Sequence, residues 1–286
     1  MDREDVQHER TLLRPSRRPA KWRYREAVGL ATRTKQLSRL KPQDIRDRVT
    51  FARFDECLRV RRAMTKRGEA SEKEMVVHPR ALDGAPIAVR LGTADATVVW
   101  DTFVGQYHLP PDTVPADAQR IWDLGTNIGL TVAHYAALYP SATITGVELD
   151  PLTAARAERN IRPWSDRCRV VTGAVWFEDG TVTFGGSFGG EHGTHVGGGD
   201  REAPAFALDS LLADDDAVDF VKMDIEGAES VVLKRNVEWA EKVRAMKIEV
   251  HNDYTRAECS DDLRNLGFDV QLDDRHWASV IATRPH

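Results

Sequence analysis

The chain has 286 residues, of which 41% are hydrophobic and 30% are charged, and its formal net charge is −5. No apolar run approaches the roughly 20 residues that a transmembrane helix needs, so the sequence predicts no membrane span. The first ten residues are charged from the second position and contain no apolar h-region, so we expect no secretory signal there. This length accommodates one sizeable α/β domain and an extension.

The chain contains three cysteines, Cys57, Cys168 and Cys259, and no Cys-x-x-Cys pair. An odd and scattered set argues against a disulfide framework and against a cysteine-based zinc site. It is compatible with a reducing compartment, so we expect a cytoplasmic protein.

Positive charge is concentrated at the amino-terminal end. Residues 1–67 hold 20 Lys and Arg against 9 acidic residues, a net charge of +11, and the remainder has a net charge of −16. A basic arm on an acidic body is compatible with contact to nucleic acid, to anionic lipid or to a neighbouring subunit in a homo-oligomer. The favoured interpretation is simpler: a solvated, partly helical extension that lies on the acidic body.

We assign residues 1–75 to this basic extension and residues 76–286 to the main domain. Residues 1–26 are polar and interrupted by prolines, so we expect loose structure there. The apolar residues of 27–67 recur at roughly helical spacing, and Gly68 is expected to end the helix.

The main domain begins with an alternating pattern that predicts two short strands joined at Asp83-Gly84, a hairpin turn signal. A turn and an amphipathic helix are predicted next, directly before the strongest motif of the chain, so this segment is a candidate cover for a ligand. Its polar candidates for ligand contact are Thr93, Asp95 and Tyr107. Helix capping by the first two, and partial burial of the third, is the alternative interpretation.

The stretch 121–150 predicts a buried strand, a glycine turn, an amphipathic helix and a second strand. Gly125 and Gly129 flank Asn127, and glycine lets a backbone turn sharply and approach a ligand closely. Glu148 stands at the carboxyl end of the second strand, and ligands bind at that edge of open α/β sheets. The stretch therefore predicts a ligand-binding site.

The charges around the turn discriminate between two cofactors. A dinucleotide fingerprint requires glycine at positions 125, 127 and 130, but Asn127 and Leu130 occupy two of them. Asp123 would repel a pyrophosphate and would suit the cationic sulfonium and amino group of S-adenosylmethionine. Glu148 is suited to bind both hydroxyls of a ribose. The pattern predicts S-adenosylmethionine rather than NAD; a tight turn without a ligand is the alternative.

A second helix and a third strand follow, and the strand leads to Gly173 and Ala174. Their small size would let an adenine ring lie flat against the backbone, with Trp176 either as a wall of that site or as a core residue. Asp179-Gly180 then predicts another hairpin.

Residues 185–200 are rich in glycine and have almost nothing to bury, which predicts a mobile surface loop. His192 and His195 within it are candidates for metal or substrate contact, although a disordered flap is the favoured interpretation.

The fourth predicted strand ends at Asp224, and the fifth delivers Glu249 and His251. Residues two apart on a strand share a face, so we expect Lys222 beside Asp224 and Glu249 beside His251. Glu226 is expected in the first turn of the following helix. The chain then ends with a helix and a pair of strands.

These segments resemble the FkbM family of S-adenosylmethionine-dependent methyltransferases over about residues 76–286. The resemblance is carried by RLGTAD at 90–95, IWDLGTNIGLT at 121–131, GVELDP at 146–151, VDFVKMDIEGAE at 218–229 and KIEVH at 247–251. It implies an α/β class I methyltransferase fold, Rossmann-like, with a seven-stranded sheet whose last strand is antiparallel, here preceded by a helical extension. It also implies O-methylation of natural products, sugars or glycolipids, and it explains neither the arm nor the loop 185–200.

The resemblance also implies cofactor contacts at numbered positions. Those at the methionine end are Asp123, Gly125, Asn127 and Gly129. Glu148 would bind the ribose, Asp150 would lie near the adenosine, and Asp224 would lie by the reacting centre.

Methyl transfer to an alcohol needs a base or a metal, because an alcohol is a poor nucleophile until its proton is being removed. In the favoured arrangement His251 is the base, oriented by Glu249 or Asp224. In the alternative arrangement Asp224, Glu249 and His251 bind a divalent cation such as Mg²⁺.

A small-molecule hydroxyl acceptor is the favoured partner, because an acidic body does not suit nucleic acid. An RNA or protein methyltransferase that uses the basic arm remains open, although the NPPY-type motif common in RNA-modifying enzymes is absent from the sequence. A non-catalytic cofactor-binding protein is the third hypothesis. The glycine turn, together with the acids after the fourth and fifth strands, argues against it.

Overall fold

The computed structural model describes residues 50–65, 73–185, 195–197 and 199–284. Its first helix, α1 (Phe54–Thr65), is followed by the antiparallel strands β1 (Glu74–Val77) and β2 (Ile87–Arg90). Between these strands Asp83 and Gly84 adopt left-handed conformations, with φ of 51° and 79°, so the predicted hairpin turn is confirmed. Helix α2 (Asp95–Trp100) follows and continues into a π-helical turn.

Strands and helices alternate along the rest of the chain. In order they are β3 (Arg120–Leu124), α3 (Leu130–Leu138), β4 (Thr143–Glu148), α4 (Pro151–Asn160), β5 (Cys168–Thr172), β6 (Ala174–Trp176), β7 (Gly180–Gly185), β8 (His195–Val196), β9 (Arg201–Ala207), α5 (Leu208–Leu211), β10 (Phe220–Met223), α6 (Glu229–Val232), β11 (Ala245–Glu249), α7 (Arg256–Asn265), β12 (Asp269–Leu272) and β13 (Ser279–Thr283).

A seven-stranded sheet runs in the order β12-β13-β11-β10-β3-β4-β5. The five strands from β11 to β5 are parallel, and β13 runs antiparallel to both of its neighbours. The order reverses between β3 and β10, so the crevice beyond their carboxyl ends is the position where ligands of open α/β sheets bind. The predicted sheet with an antiparallel last strand is therefore confirmed.

Successive side chains of a strand point to opposite faces of the sheet. Both faces are covered, each by its own hydrophobic cluster. Ile121 of β3 and Phe220 of β10 lie in one hydrophobic cluster, which also contains residues of α1, α3 and the first hairpin. Trp122 and Val221, their neighbours along the same strands, lie in a second cluster with residues of α7. This packing fixes the strand ends from which the site is built.

A second sheet of four strands, in the order β6-β9-β7-β8, is inserted between β5 and β10. The predicted hairpin at Asp179-Gly180 is wrong, because β9 lies between β6 and β7 and pairs with both of them. The carboxylate of Asp179 instead accepts hydrogen bonds from the backbone N–H of Ala207 and the hydroxyl of Ser210. It thus anchors the junction of β9 and α5 rather than closing a two-stranded turn.

The segment after β10 also differs from the prediction. Glu226 has a φ of 55° and lies in a loop, and α6 begins only at Glu229. The loop stays out of the helix because Glu229 accepts hydrogen bonds from the backbone N–H groups of Ile225 and Gly227. These donors would otherwise belong to the first helical turn.

The assignment of residues 1–75 to an extension stays a prediction, and residues 1–49 and 66–72 lie outside the described part. Within that part, Cys57 and Val60 of α1 are buried in the first hydrophobic cluster. The three cysteines are buried and free. Among the described helices, none has both the length and the apolar character needed to cross a membrane.

Candidate functional site

A cavity of about 1250 Å³ opens at the carboxyl ends of the central strands. Gly125, Glu148, Asp224 and Glu249 line it, and each stands at or just after the end of a different strand of the parallel part of the sheet. A single small ligand typically occupies about 300–1,000 Å³. The cavity therefore has room for a cofactor and an acceptor together.

The glycine turn packs between the carboxyl ends of β4 and β10. Gly125 has a φ of 79°, and a Cβ there would lie 1.8 Å from the carbonyl oxygen of Asp224. Its N–H donates to the carbonyl of Val147 over 2.9 Å. Asn127 follows with a φ of 51°, and Gly129, with a φ of 81°, packs against Ala157 of α4. Packing within the protein therefore requires glycine in this turn, and the backbone of Gly125 lines the cavity.

Asp123 has no exposed surface and does not line the cavity. Its carboxylate accepts hydrogen bonds from the hydroxyls of Thr126 and Thr131, and Oδ1 lies 3.3 Å from Nζ of Lys222. Lys222 also contacts Asp224 over 3.1 Å. Burial alone would lower the pKa of Lys222, but the two carboxylates raise it above its ordinary value. Lys222 is therefore a cation that compensates the buried charge of Asp123.

Glu148 is held rigidly at the end of β4. Its carboxylate accepts hydrogen bonds from the backbone N–H groups of Asn127, over 2.8 Å, and Asp150, over 2.9 Å. Burial raises the pKa of Glu148 to about 7 despite these two donors. The carboxylate is thus fixed at the cavity, and its binding of a ribose stays a prediction.

Asp150 begins α4 and joins it to the inserted sheet. Its Oδ1 accepts from the N–H groups of Leu152 and Thr153, and its Oδ2 lies 2.6 Å from Nη1 of Arg201 at the start of β9. Burial would raise the pKa of Asp150, but the hydrogen bonds from Arg201 and the helix N–H groups outweigh it and lower the pKa. Asp150 is therefore an anionic cap at the rim of the cavity.

The predicted adenine end is formed by Gly173 and Ala174, which both line the cavity. A Cβ at Gly173 would lie 2.6 Å from the ring of Phe206, so the inserted sheet itself requires glycine at this position. Trp176 does not line the cavity, and its ring lies 5.3 Å from that of Phe177. Trp176 is a packing residue.

Thr93 and Asp95 line the opposite side of the cavity. Asp95 is buried, and both of its oxygens accept hydrogen bonds from the guanidinium of Arg90. The hydroxyl of Thr93 accepts from the N–H of Asp95. The N-cap of α2 is Ala94 and no side chain caps this helix, so the capping interpretation is wrong for both residues. Ligand binding by Thr93 and Asp95 stays a prediction.

His251 lies at the centre of a group of carboxylates. Its Nδ1 lies 2.9 Å from Oε1 of Glu229, which is fully buried. Its Nε2 lies 3.6 Å from Asp224, 3.8 Å from Glu226 and 3.8 Å from Glu249. The sequence predicted that Asp224, Glu249 and His251 lie close together, and in the structure they do so at the cavity.

The acidic surroundings control the ionisation of His251. Burial would lower its pKa, but the hydrogen bond to Glu229 and the charge of Asp224 raise it to about 9. Burial, and then the charge of Asp224, raise the pKa of Glu249 to about 8. Burial also acts to raise the pKa of Asp224, but Lys222 and His251 lower it below its ordinary value. At neutral pH the group therefore consists of an ionised Asp224, a protonated His251 and a Glu249 that retains its proton.

The same three residues could bind a divalent cation. One ligand atom from each of Asp224, Glu249 and His251 lies within 4.8 Å of the other two. Two carboxylates and an imidazole form a donor set that divalent metals accept. The metal alternative thus fits the donor chemistry and stays a proposal.

Glu229 is the residue at this site whose role sequence analysis missed. It lies in the VDFVKMDIEGAE segment that carries the family resemblance, but its burial depends on the loop conformation after β10. His276 and Trp277, which also line the cavity, were missed because they lie in the turn between β12 and β13. His192 lies outside the described residues, and of His195 only the backbone, in β8, is described.

The sheet order, the antiparallel last strand and the cavity at the strand ends define a class I methyltransferase fold. A family model, the methyltransferase FkbM domain, matches residues 123–270. The chain belongs to the FkbM methyltransferase domain family, and its main domain is an S-adenosylmethionine-dependent methyltransferase domain.

Two curated relatives are the tRNA1(Val) (adenine(37)-N6)-methyltransferases of two Porphyromonas gingivalis strains, ATCC 33277 and W83. They are 32% and 31% identical to this chain over 96 residues, which cover 33% of this chain and 35% of each relative. The match thus spans about a third of the length of these relatives.

Solved structures are similar at lower identity. The fibrillarin of Aeropyrum pernix, with natively bound S-adenosyl-L-methionine, is 16% identical, with a TM-score of 0.41, over 76% of this chain and 97% of that one. An O-methyltransferase family protein of Burkholderia thailandensis is 16% identical, with a TM-score of 0.42, over 66% of this chain and 57% of that one. Likenesses at this level do not bear on the substrate.

Proposed function

We propose that the protein transfers a methyl group from S-adenosylmethionine to a hydroxyl of a small molecule, with His251 as the base. The observation that carries the proposal is the placement of His251. Its Nδ1 contacts Glu229, and its Nε2 faces Asp224 and Glu249 at the ends of two strands beside the glycine turn. A histidine held by one nitrogen, with the other at a cavity, is suited to proton transfer.

S-adenosylmethionine supplies an electrophilic methyl group on a positively charged sulfur. When bound, it would give this methyl group to the acceptor oxygen, and the electron pair of the broken carbon–sulfur bond would stay on sulfur. The hydroxyl proton passes to Nε2 of His251. Asp224 and Glu229 favour the positive charge that results on the imidazole, and the cavity walls would hold the two reactants close, which supplies much of the rate.

The raised pKa of His251 sets a condition on this mechanism. With a pKa of about 9 the imidazole already carries a proton at neutral pH, so the base form has to be generated before transfer. A cationic sulfonium bound beside it lowers that pKa by like-charge repulsion. We therefore expect turnover to rise with pH through the neutral and mildly alkaline range.

The proposal is tested with methyl-labelled S-adenosylmethionine and a panel of hydroxyl compounds, with mass spectrometry of the products. Calorimetry should show binding of S-adenosylmethionine and none of NAD. His251→Ala should reduce turnover by about 10²-fold or more, the scale of a positioned base, while cofactor affinity is retained. Transfer only to nitrogen or carbon, or unchanged turnover in His251→Ala, would contradict it.

The metal arrangement is tested on the same protein. If activity is lost with EDTA and returns with Mg²⁺, the cation bound by Asp224, Glu249 and His251 lowers the pKa of the acceptor hydroxyl instead. Metal-independent activity that follows the titration of His251 supports the base. The two mechanisms therefore give opposite results with a chelator.

A second candidate function is methylation of RNA. Two observations favour it: the partial similarity to tRNA methyltransferases and the net charge of +11 on residues 1–67. The carboxylates at the cavity favour the small molecule, because they repel phosphate. RNA affinity that falls steeply with salt, together with labelled RNA as product, would support this second function.

A further inference from the structure

Three aromatic side chains form one edge of the cavity mouth. The rings of Tyr107 and His276 are 5.0 Å apart, and those of His276 and Trp277 are 6.1 Å apart. Trp277 is 81% exposed and Tyr107 is 39% exposed, although both are large aromatic residues that line a cavity. We call Tyr107, His276 and Trp277 the aromatic rim. Exposed aromatic faces at the mouth of a pocket are characteristic of binding sites rather than of packing.

The aromatic rim adjoins the proposed transfer centre. Nδ1 of His276 lies 3.7 Å from Oε2 of Glu249, and the other oxygen of Glu249 lies 3.8 Å from Nε2 of His251. A ligand bound to the aromatic rim would therefore be separated from His251 by a single side chain, that of Glu249.

The charges that this part of the cavity offers to a ligand are negative. Lys247 contacts Asp273 over 2.5 Å and Lys222 contacts Asp123 and Asp224, and the two lysine side chains are only 4% and 11% exposed. The side chains of Asp224 and Glu226 are 28% and 33% exposed. The acids are thus accessible, whereas the lysines are buried against acids of their own.

Aromatic faces combined with carboxylates are the surroundings in which proteins bind organic ammonium groups. We propose that the methyl acceptor is a hydroxyl compound that carries a protonated amine, with the ammonium group on the aromatic rim near Asp224 and Glu226. The hydroxyl then lies toward His251. This inference rests on the proposed O-methylation and adds the charge of the substrate.

The test uses three pyranoses that differ in charge: glucosamine, glucose and glucuronic acid. Their binding to the full chain is measured by saturation-transfer NMR, with S-adenosylhomocysteine present, at a pH at which the amine of glucosamine is protonated. We expect the signal to decrease from glucosamine to glucose, and glucuronic acid to give none. Trp277→Ala should abolish the glucosamine signal, and Leu272→Ala, which removes an exposed side chain outside the cavity, should preserve it.

The role of charge is tested separately from stacking. Glu226→Gln should reduce the preference for glucosamine over glucose at least twofold. Equal binding of all three sugars, binding of glucuronic acid in preference to the others, or an unaltered glucosamine signal in Trp277→Ala would overturn the inference. Because binding is measured without transfer, these outcomes are independent of the proposed function. If labelled methyl transfer is found only with hydroxyl compounds that lack an amine, the inference fails and O-methylation stands.

Discussion

Oε1 of Glu229 lies 2.9 Å from Nδ1 of His251, and this contact joins the loop after β10 to the end of β11. The same carboxylate accepts hydrogen bonds from the backbone N–H groups of Ile225, over 3.1 Å, and Gly227, over 2.9 Å. A fully buried carboxylate with three partners has one orientation available to it. Glu229 is therefore a positioning residue: it fixes the loop that carries Glu226 and turns Nε2 of His251 toward the cavity.

Replacing Glu229 by Gln keeps its size but removes the charge that raises the pKa of His251. At alkaline pH, where His251 is deprotonated in both proteins, we expect turnover to fall by about 10-fold to 100-fold, a part of the roughly 10²–10⁴ that a positioned base supplies. We also expect the pH profile of turnover to shift to lower pH. Glu158→Gln, on the exposed face of α4, is the matched control. A lowered rate with an unshifted profile would show that Glu229 only supports the fold.

Lys222 and Asp123 form a buried ion pair, so removal of one partner leaves the other buried without a counter-charge. In Lys222→Met the carboxylate of Asp123 stays fully buried without its cation, which typically costs about 3–5 kcal/mol of stability. Urea unfolding measures this cost, and the double variant Lys222→Met/Asp123→Asn should recover more than half of it. A double variant as unstable as the single one would contradict the pairing.

The central sheet could be predicted because each of its signals is local. Asp224 and Glu249 follow apolar strands in the sequence, and parallel strands end at the same edge, so their proximity was predictable. The hairpin at Asp179-Gly180 was not, because β9 pairs with both β6 and β7 and comes later in the chain. Turn residues indicate the local backbone geometry, but they do not determine which strand the following strand pairs with.

The residue types of the site could be predicted from the sequence, but the contacts between their side chains could not. The acid at 123 was expected to face a ligand, yet Lys222 on the neighbouring strand binds it, because the register places Lys222 directly opposite Asp123. The partner of His251 was expected on its own strand or at Asp224, whereas Glu229 makes the shortest contact. Both cases depend on which side chains are buried together, and sequence spacing does not determine this.

Gly125→Ala should destabilise the protein strongly. A Cβ would lie 1.8 Å from the carbonyl oxygen of Asp224, which is backbone and cannot rotate away, and the φ of 79° is itself unfavourable for alanine. We expect a loss of about 3 kcal/mol or more in the free energy of unfolding, the scale of overpacking and backbone strain combined. Gly180→Ala is the control, since no atom lies within 4 Å of its added Cβ. Equal stabilities of the two variants would contradict the close packing of this turn.

Stability should fall as the pH rises from neutral into the alkaline range. Burial opposes the protonated form of His251, but the hydrogen bond to Glu229 and the charges of Asp224, Glu229 and Glu226 together outweigh it and raise the pKa from 6.5 to about 9 in the folded protein. Burial raises the pKa of Glu249 from 4.5 to about 8. Between the unfolded and folded values each group binds more protons in the folded state, so each stabilises the protein at low pH and loses that contribution as the pH passes the folded value.

The two contributions have the same sign, so they add. We expect the free energy of unfolding to decline by on the order of 1–2 kcal/mol between about pH 7 and about pH 8.5. In Glu249→Gln the decline should be smaller, because the amide does not titrate and one fewer carboxylate acts on His251. Denaturant unfolding at several pH values measures both slopes, with Glu158→Gln as the control for loss of an acidic side chain. A wild-type stability that rises over this range would mean that the folded protein does not hold these protons.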